Sequence, residues 1–260
     1  MVRKLMNSGT LYMIWDMVKR DFRNKYAGSV FGLLWNLILP IAYILIYTTV
    51  FSQIMAAKLP GMTNTFDYSV YLSSGILAWT IFNATLIKFQ NVFVDNANIV
   101  KKIYFPKTIL VFSITVSSII ELIINYSLLL LVLVGIGYDL HLNYIVVFLI
   151  ILLQQVFCTG IGLILSVFNV HFRDLNQITS ILIQVWFWLT PIVYVLDILP
   201  DGLKKTMSFN PLYYFIESYQ SLVLRGHIVN IMAMLLISLI TFLFGWIVYK
   251  RMINEISDLI

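Results

Sequence analysis

The sequence predicts an all-α membrane protein with six transmembrane helices, and three properties of the chain lead to that fold class. Apolar residues make up 60% of the chain and charged residues only 11%, whereas soluble domains carry about 25% charged residues. The mean hydropathy is +0.91, so much of the surface must face lipid. Six apolar runs also have about the 20 residues needed to cross a hydrocarbon core roughly 30 Å thick.

The six runs define the expected domain organisation. They cover residues 30–57, 70–89, 109–136, 142–170, 178–199 and 228–249. We expect one transmembrane domain over residues 1–260, with a cytoplasmic helix in 1–27, the six-span bundle in 28–250 and a cytoplasmic tail in 251–260. The single cysteine, Cys158, lies in the fourth run, so no intrachain disulfide holds this bundle together.

The distribution of basic residues predicts the orientation of the chain. If the amino terminus is cytoplasmic, all but four of the 17 lysines and arginines lie on the inner side. The four on the outer side are Lys58, Lys204, Lys205 and Arg225. Because basic residues concentrate in cytoplasmic loops, we expect both termini in the cytoplasm. The formal charge of +5 then reflects topology and attraction to anionic headgroups, and it requires no nucleic-acid partner.

An amphipathic helix is predicted between Leu11 and Tyr26, before the first span. Its apolar residues recur at helical spacing on one stripe, and Arg20 and Arg23 point mainly away from that stripe. Such a helix lies in the membrane interface, and it is expected to end at Gly28, where the chain can turn to cross the bilayer. It is either a simple anchor or a lever held by a cytoplasmic partner.

The inner loop 96–107 is predicted to contain a second, shorter amphipathic helix. Lys101, Lys102 and Lys107 are interspersed with apolar residues in this loop. Pro106 ends the helix, because the residue before a proline is pushed out of the helical region. The loop either docks on a partner or is a positive-inside cluster whose apolar residues rest on lipid.

The outer connection 200–226 contains a helix that is too short to cross the bilayer. Asn210 is a suitable N-cap and Pro211 suits the first helical position. Because Glu217 and Gln220 lie on this helix, we expect it to re-enter the bilayer or to lie on the outer surface, between the fifth and sixth spans.

Motifs of the common hydrolytic sites are absent from the sequence. It has no GxxxxGK[ST] phosphate loop, HExxH helix or GxSxG turn, and none of its three histidines lies at metal-ligand spacing from another His or Cys. We therefore expect no catalytic residue, no metal site and no cofactor bound by this chain. Glu121 is the one carboxylate expected deep within a span, which makes it a functional candidate. Asn125, one turn away, could satisfy it in a purely structural role.

Five segments together resemble the membrane subunit of a type 2 ABC transporter. In chain order they are RNKYAGSVFGLLWNLILP, SSGILAWTIF, KKIYFPK, NVHFRDLNQI with WLTPIVY, and NPL. Within that family the chain is most similar to the permeases that export O-antigen and other lipid-linked polysaccharides, with the teichoic acid exporters as close relatives. The resemblance covers essentially the whole chain.

The resemblance implies the partners of the chain. Such a permease pairs with a second copy of itself and with two separate ABC ATPase subunits, which bind the ATP and Mg. The two permeases enclose a channel through which a lipid-linked polysaccharide crosses the bacterial inner membrane during lipopolysaccharide biosynthesis. The chain itself would be a transport subunit and not an enzyme.

The resemblance also implies roles for individual residues. Residues that dock on the ATPase or couple to it would be Arg20, Arg23, Lys25, Tyr26, Lys101, Lys102, Tyr104, Phe105, Pro106 and Lys107. The first four of these would lie near either the ATPase or the pyrophosphate of the lipid-linked substrate. The outer gate would include Asn210, Pro211, Tyr213 and Tyr214. Lys25 and Lys107 stand where the family commonly has arginine, so these two positions lack the planar guanidinium that binds phosphate in a bidentate way.

Two further groups are assigned by their place in the predicted topology. Arg173 and Asp174 fall at the inner mouth between the fourth and fifth spans, where an ion pair would tie the turn to its neighbours. Aromatic residues toward the outer leaflet are expected partly as belt residues and partly as lining of the sugar path, because flat rings pack against the apolar faces of sugars. They are Tyr43, Tyr47, Phe51, Trp79, Trp186, Trp188 and Tyr194.

Three alternative hypotheses remain at this point. A drug or small-molecule exporter of the same architecture would show the same six spans. A secondary transporter would need an internal repeat or paired broken helices with intramembrane charges, and Glu121 is expected to stand alone. An intramembrane enzyme would need clustered polar catalytic groups within the spans, and the sequence shows none.

Overall fold

The computed structural model describes residues 8–25, 27–50, 66–102, 105–135, 137–138, 146–172, 174–196 and 199–256. Over these residues the chain is all-helical, as the sequence predicts. Ten α-helices occur in this part of the chain: α1 Ser8–Lys25, α2 Trp35–Thr48, α3 Asp67–Asp95, α4 Ala97–Lys102, α5 Thr108–Gly135, α6 Val147–His171, α7 Leu175–Trp188, α8 Asp201–Met207, α9 Pro211–Arg225 and α10 Ile231–Met252.

Four helices in the described residues are long and apolar enough to cross a membrane. They are α3, α5, α6 and α10, with 29, 28, 25 and 22 residues, which corresponds to roughly 33 to 44 Å at 1.5 Å per residue. The helices in the first and fifth predicted spans, α2 and α7, have 14 residues each. The count of six crossings therefore stays a prediction.

The fifth predicted span, 178–199, is shorter as a helix than the apolar run that predicts it. The helix α7 ends at Trp188, and residues 189–194 form turns and bends. Pro191 explains the break, because proline lacks the backbone N–H and disfavours helical geometry at the preceding residue. An apolar run alone does not reveal such a break.

Helix α6 lies at the centre of the bundle and contacts α3, α5, α9 and α10. Buried rings fill the space around it, since Phe157 of α6 stacks on Phe82 and Phe215 with ring centroids 6.0 and 5.2 Å apart. Tyr126 of α5 stacks on Tyr219 of α9 at 4.6 Å. Helix α9 is thus packed against the spans, whereas its re-entry into the bilayer stays a prediction.

Helices α6 and α10 cross with their backbones in close contact. A side chain at Gly245 of α10 would meet the carbonyl oxygen of Gly160. A side chain at Gly160 would come within 2.5 to 2.6 Å of the backbone of Thr241 and Phe242. Membrane helices use small residues in this way to bring their backbones together.

Replacing Gly245 with valine should therefore weaken the α6–α10 pair. The added carbons have no space between the two backbones, and overpacking of this kind costs about 1–3 kcal/mol. We expect a lower midpoint of thermal unfolding for the purified chain. Gly135→Val is the matched control, because no atom of the described chain lies within 4 Å of an added Cβ there. Equal midpoints for the two variants would contradict the close contact.

The predicted helix before the first span is α1, and it packs on α5. Val18 is its buried anchor, whereas Tyr12 near its start is exposed. After α1 the backbone of Gly28 has a φ of 82°, a left-handed conformation that glycine adopts without strain. The Trp35 indole donates a hydrogen bond to the Ser29 hydroxyl at 2.9 Å, which closes this turn toward α2.

Candidate functional site

Four charged side chains from α1, α3 and α5 meet where α1 packs on the bundle, on the side that the basic residues predict to be cytoplasmic. The Glu121 carboxylate oxygen Oε1 lies 3.0 Å from the Lys88 ammonium and 3.2 Å from the Lys25 ammonium. Lys88 also lies 3.1 Å from the carboxylate of Asp21. Only 4% of the Glu121 side chain is exposed. We call Asp21, Lys25, Lys88 and Glu121 the inner charge network.

The network corrects two expectations about Glu121. The expectation that Glu121 stands alone within the spans is wrong, because Lys88 of α3 and Lys25 of α1 bind the same carboxylate oxygen. The amide of Asn125 donates its hydrogen bond to the backbone carbonyl of Glu121 at 2.7 Å. Two ammonium groups, which offset the cost of burying a charge, therefore satisfy the carboxylate.

A polar cavity of about 440 Å³ lies between α1, α3, α4 and α5, and Asp21 and Lys88 of the network line it. Arg20 lines it and donates a hydrogen bond to the Asn96 side chain at 2.8 Å. This bond joins the first predicted docking segment to the start of the second. Ser117 also lines the cavity, and its buried hydroxyl has no hydrogen-bond partner among the residues that the structure describes.

The helix predicted in the inner loop is present as α4, and its flanking residues differ in exposure. Lys101 and Pro106 are exposed and Phe105 is half-buried. Lys107 donates a hydrogen bond to the backbone carbonyl of Ile253, beyond α10, at 2.8 Å. Tyr26, Tyr104 and the side chain of Lys102 lie outside the described residues. The docking role of this group stays a prediction.

The predicted ion pair at the inner mouth between α6 and α7 also stays a prediction. Arg173 lies outside the described residues, and Asp174 is exposed directly before α7. A different pair lies close to this turn, since His171 Nε2 at the end of α6 is 3.6 Å from the Glu255 carboxylate.

On the opposite side of the bundle, the non-helical segment 189–194 has its carbonyl groups held by neighbouring side chains. The single hydroxyl proton of Tyr71 is shared between two of these carbonyl oxygens, at 3.0 and 2.9 Å, and Tyr68 donates to a third carbonyl at 2.6 Å. Gln220 of α9 donates to two at 3.3 Å. It reaches them across Gly75, where a side chain would come within 2.6 Å of its amide. Irregular backbone at membrane depth needs such partners.

Asn210, an expected gate residue, uses both ends of its amide to join α9 to this segment. Its oxygen accepts from the Leu212 backbone N–H at 3.0 Å, which caps α9 as predicted, and from the Trp186 indole at 2.8 Å. Its nitrogen donates to the Leu189 carbonyl at 3.1 Å and to the Thr190 hydroxyl at 2.9 Å.

The remaining expected gate residues line the first turn of α9. Pro211, Tyr213 and Tyr214 are half-buried, and the two tyrosine rings lie 5.2 Å apart. Burial raises the pKa of Tyr213 well above its ordinary value, and a hydrogen bond to Glu217 and the charge of that carboxylate raise it further. Tyr213 is therefore a stable hydrogen-bond donor. The gating role of these residues stays a prediction.

The aromatic residues proposed as channel lining differ in exposure. Trp79 is buried against Phe187, and the ring of Trp186 packs 5.6 Å from Phe82. Tyr43 and Trp188 are 44% and 62% exposed. Of these four residues, Tyr43 and Trp188 present exposed ring surface that a sugar could contact in the single chain.

Tyr43 lies at one end of a groove between α2, α3 and α5. This groove has a volume of about 170 Å³ and contains Lys25 and Glu121 as well as Thr80 of α3. The rings of Tyr43 and Tyr47 are stacked 6.2 Å apart with 12° between their planes. The groove therefore extends from Lys25 and Glu121 of the inner charge network to Tyr43 of this stacked pair.

The last two lining candidates are Tyr194 and Phe51. Tyr194 is half-buried, and its hydroxyl donates to the backbone carbonyl of Trp188 at 3.0 Å. It thus holds the turn after α7. Phe51 lies outside the described residues.

The ABC-2 type transporter family matches residues 12–224, which run from near the start of α1 to near the end of α9 and include the groove. The chain belongs to this family. The membership confirms the resemblance to a type 2 ABC transporter and identifies the chain as a transport component and a multi-pass membrane protein.

Relatives of this ABC-2 transporter chain include polysaccharide exporters. It is 29% identical over 222 residues to the O-antigen export system permease protein RfbA of Klebsiella pneumoniae, covering 85% of this chain and 83% of that protein. It is 27% identical to RfbA of Myxococcus xanthus, covering 80% and 78%. The polysialic acid transport protein KpsM of Escherichia coli is 22% identical, covering 89% and 90%.

Sequence reasoning about this ABC-2 transporter chain missed Asp21 and Lys88 as site residues. Lys88 is one of the basic residues predicted on the inner side, and it falls at the end of the apolar run 70–89. A lysine and a glutamate in two adjacent predicted spans need partners. This requirement was the signal that could have paired Lys88 with Glu121.

Proposed function

We propose that this chain is the permease of an ATP-driven exporter that moves a lipid-linked, O-antigen-like polysaccharide across the inner membrane. Two copies enclose the path, and two copies of a separate ABC ATPase bind ATP and Mg and supply the energy. The observation that carries the proposal is the family match together with the similarity to the O-antigen export permeases.

The inner charge network supports a division of labour between this chain and an ATPase. The amphipathic helix α1 is bound to α3 and α5 by charged side chains, so a force on α1 reaches two candidate spans directly. The Arg20–Asn96 bond also joins α1 to the start of α4. These contacts suit a partner that pushes on the inner face.

The outward face of α7 supports a second copy as the other half of the path. Ile181, Leu182 and Trp188 on this helix are 61 to 63% exposed, and α7 has few contacts with α3 and α6. An apolar helix with so little packing in the single chain suits a neighbour of the same kind. The groove that ends at Tyr43 lies between α2, α3 and α5.

The proposal predicts that the purified chain alone hydrolyses no ATP and that the chain in complex with its ATPase does. The reason is the lack of a phosphate loop in the sequence together with the two inner segments available for docking. Phosphate release from proteoliposomes with and without the ATPase measures this. Robust hydrolysis by the chain alone, after removal of co-purified proteins, would reject the division of labour.

The identity of the exported substrate is tested by deleting the gene that encodes this chain. Accumulation of an undecorated lipid-linked glycan on the inner side, with loss of the same glycan outside, is the expected result. Accumulation of a teichoic acid chain, or unchanged glycans with increased drug sensitivity, would favour one of the two alternative exporters.

A further inference from the structure

The two long sides of α1 face two different cavities. Arg20 and Asp21 line the polar cavity described above. Residues about half a turn away line a larger groove of about 700 Å³ between α1, the chain entering α2, and α5. The floor of this groove is apolar and is formed by Trp15, Val18, Phe22, Leu37, Ile120 and Ile124.

The rim of this groove is basic. Lys19 and Arg23 lie one helical turn apart on α1, so their side chains are neighbours, and both are exposed. The Lys19 ammonium lies 5.9 Å from the centre of the Trp15 ring. No carboxylate lines the groove, and no hydrogen bond or salt bridge joins Arg23 to any residue in the described part of the chain.

We propose that this groove binds one anionic phospholipid of the inner leaflet. Its phosphate lies between Lys19 and Arg23, and one acyl chain lies along Leu37, Ile120 and Ile124. Two neighbouring cations above an apolar channel match the two parts of such a lipid, and the planar guanidinium of Arg23 suits a phosphate. A zwitterionic lipid would fill the same space but carries a positive group that the two cations repel.

The bound lipid would act as a third contact between α1 and the spans. The inner charge network fixes one side of α1, and the lipid would fill the space on the other side. The position of α1 then depends on the anionic lipid content of the inner leaflet. This inference concerns the chain and its membrane, and it holds whichever substrate is exported.

The test compares the retention of two lipids by the full chain. The protein is reconstituted into vesicles of equal parts phosphatidylglycerol and phosphatidylcholine, extracted in mild detergent and weighed by native mass spectrometry. The intact chain should retain phosphatidylglycerol preferentially. Lys19→Gln/Arg23→Gln should lower that retention about tenfold, because each cation contributes a factor of a few. Both side chains are exposed, so folding should be unaffected.

The double variant Lys250→Gln/Arg251→Gln is the matched control. It also removes two exposed charges from an inner helix end, and Lys250 also lies over a tryptophan, 5.5 Å from the Trp246 ring centre. It should retain phosphatidylglycerol like the unaltered chain. Equal losses in both variants would show only general charge attraction and would overturn the proposal, as would full retention in Lys19→Gln/Arg23→Gln.

A second variant tests the acyl-chain part separately. Ile124→Trp places a larger side chain on the groove floor and should reduce retention of both lipids. Unchanged retention of both would overturn the placement of the chain. A disulfide crosslink between two copies of the variant Phe22→Cys, with no lipid retained, would assign the groove to a protein interface and would overturn the proposal.

Discussion

Replacing Lys88 with methionine is expected to destabilise the folded chain. The change removes one of the two ammonium groups that lie within 3.2 Å of the buried Glu121 carboxylate. Removing one partner of a buried ion pair costs up to about 3–5 kcal/mol, whereas replacing both by apolar residues is often nearly neutral. Glu121→Leu should therefore also destabilise, and Lys88→Met/Glu121→Leu should recover most of the loss. Thermal unfolding of the purified chain, followed by tryptophan fluorescence, measures all three.

The matched control for this cycle is Lys250→Met. It removes an exposed lysine that is paired only with the Trp246 ring in the described residues, so it should change the unfolding free energy by no more than about 0.5 kcal/mol. Additive losses in the double variant would mean that Lys88 and Glu121 do not interact. In Lys88→Met/Glu121→Leu the two remaining charges of the network, Asp21 and Lys25, are each about one third exposed. They can therefore be hydrated, and the double variant leaves no deeply buried charge without a partner.

The stable double variant then separates packing from coupling. In Lys88→Met/Glu121→Leu the contacts between α1 and the spans become mainly apolar, because the network that joins them is gone. If the network transmits movement from an ATPase, the assembled complex should still hydrolyse ATP while export of the polymer falls. Normal export by this variant would assign the network to stability alone.

The all-α class and the long spans could be predicted from the sequence because lipid imposes a simple rule. Every backbone group must be satisfied within the segment, so a long apolar run such as 109–136 becomes a helix close to its own length, Thr108–Gly135. The same rule fails at 178–199, where Pro191 breaks the run. There the free carbonyls are satisfied by Tyr68, Tyr71 and Gln220, which lie far away in sequence.

The caps and turns could be predicted because they are local. Asn210 caps α9 and Gly28 takes the left-handed conformation, and both features depend on neighbouring residues. The inner charge network is not local, since Lys88 and Glu121 are 33 positions apart. Their pairing depends on how α3 and α5 pack, which helical periodicity alone does not determine.

The strongest effect on transport without loss of stability is expected from Tyr43 and Tyr47 of α2. Their rings are stacked and Tyr43 is 44% exposed beside the groove. Leucine recovers most of the apolar contact area of a packed ring but offers no flat face and no hydroxyl. If the rings contact the polymer, Tyr43→Leu/Tyr47→Leu should keep expression and ATPase assembly while export falls about tenfold, as expected if each ring contact contributes about 0.5–1.5 kcal/mol.

Two comparisons make this prediction decisive, with surface polymer and ATPase activity measured in parallel for every variant. Tyr43→Phe/Tyr47→Phe should retain most of the export, because the flat faces survive and only the hydroxyls are lost. Phe242→Leu/Trp246→Leu removes a similarly stacked pair on α10, with rings 6.1 Å apart and 17° between their planes, and neither residue lines the groove. That control should export normally once its expression is matched. Parent-level export by Tyr43→Leu/Tyr47→Leu would show that these tyrosines only pack, and the polymer path would then have to be sought along the exposed face of α7 near Trp188.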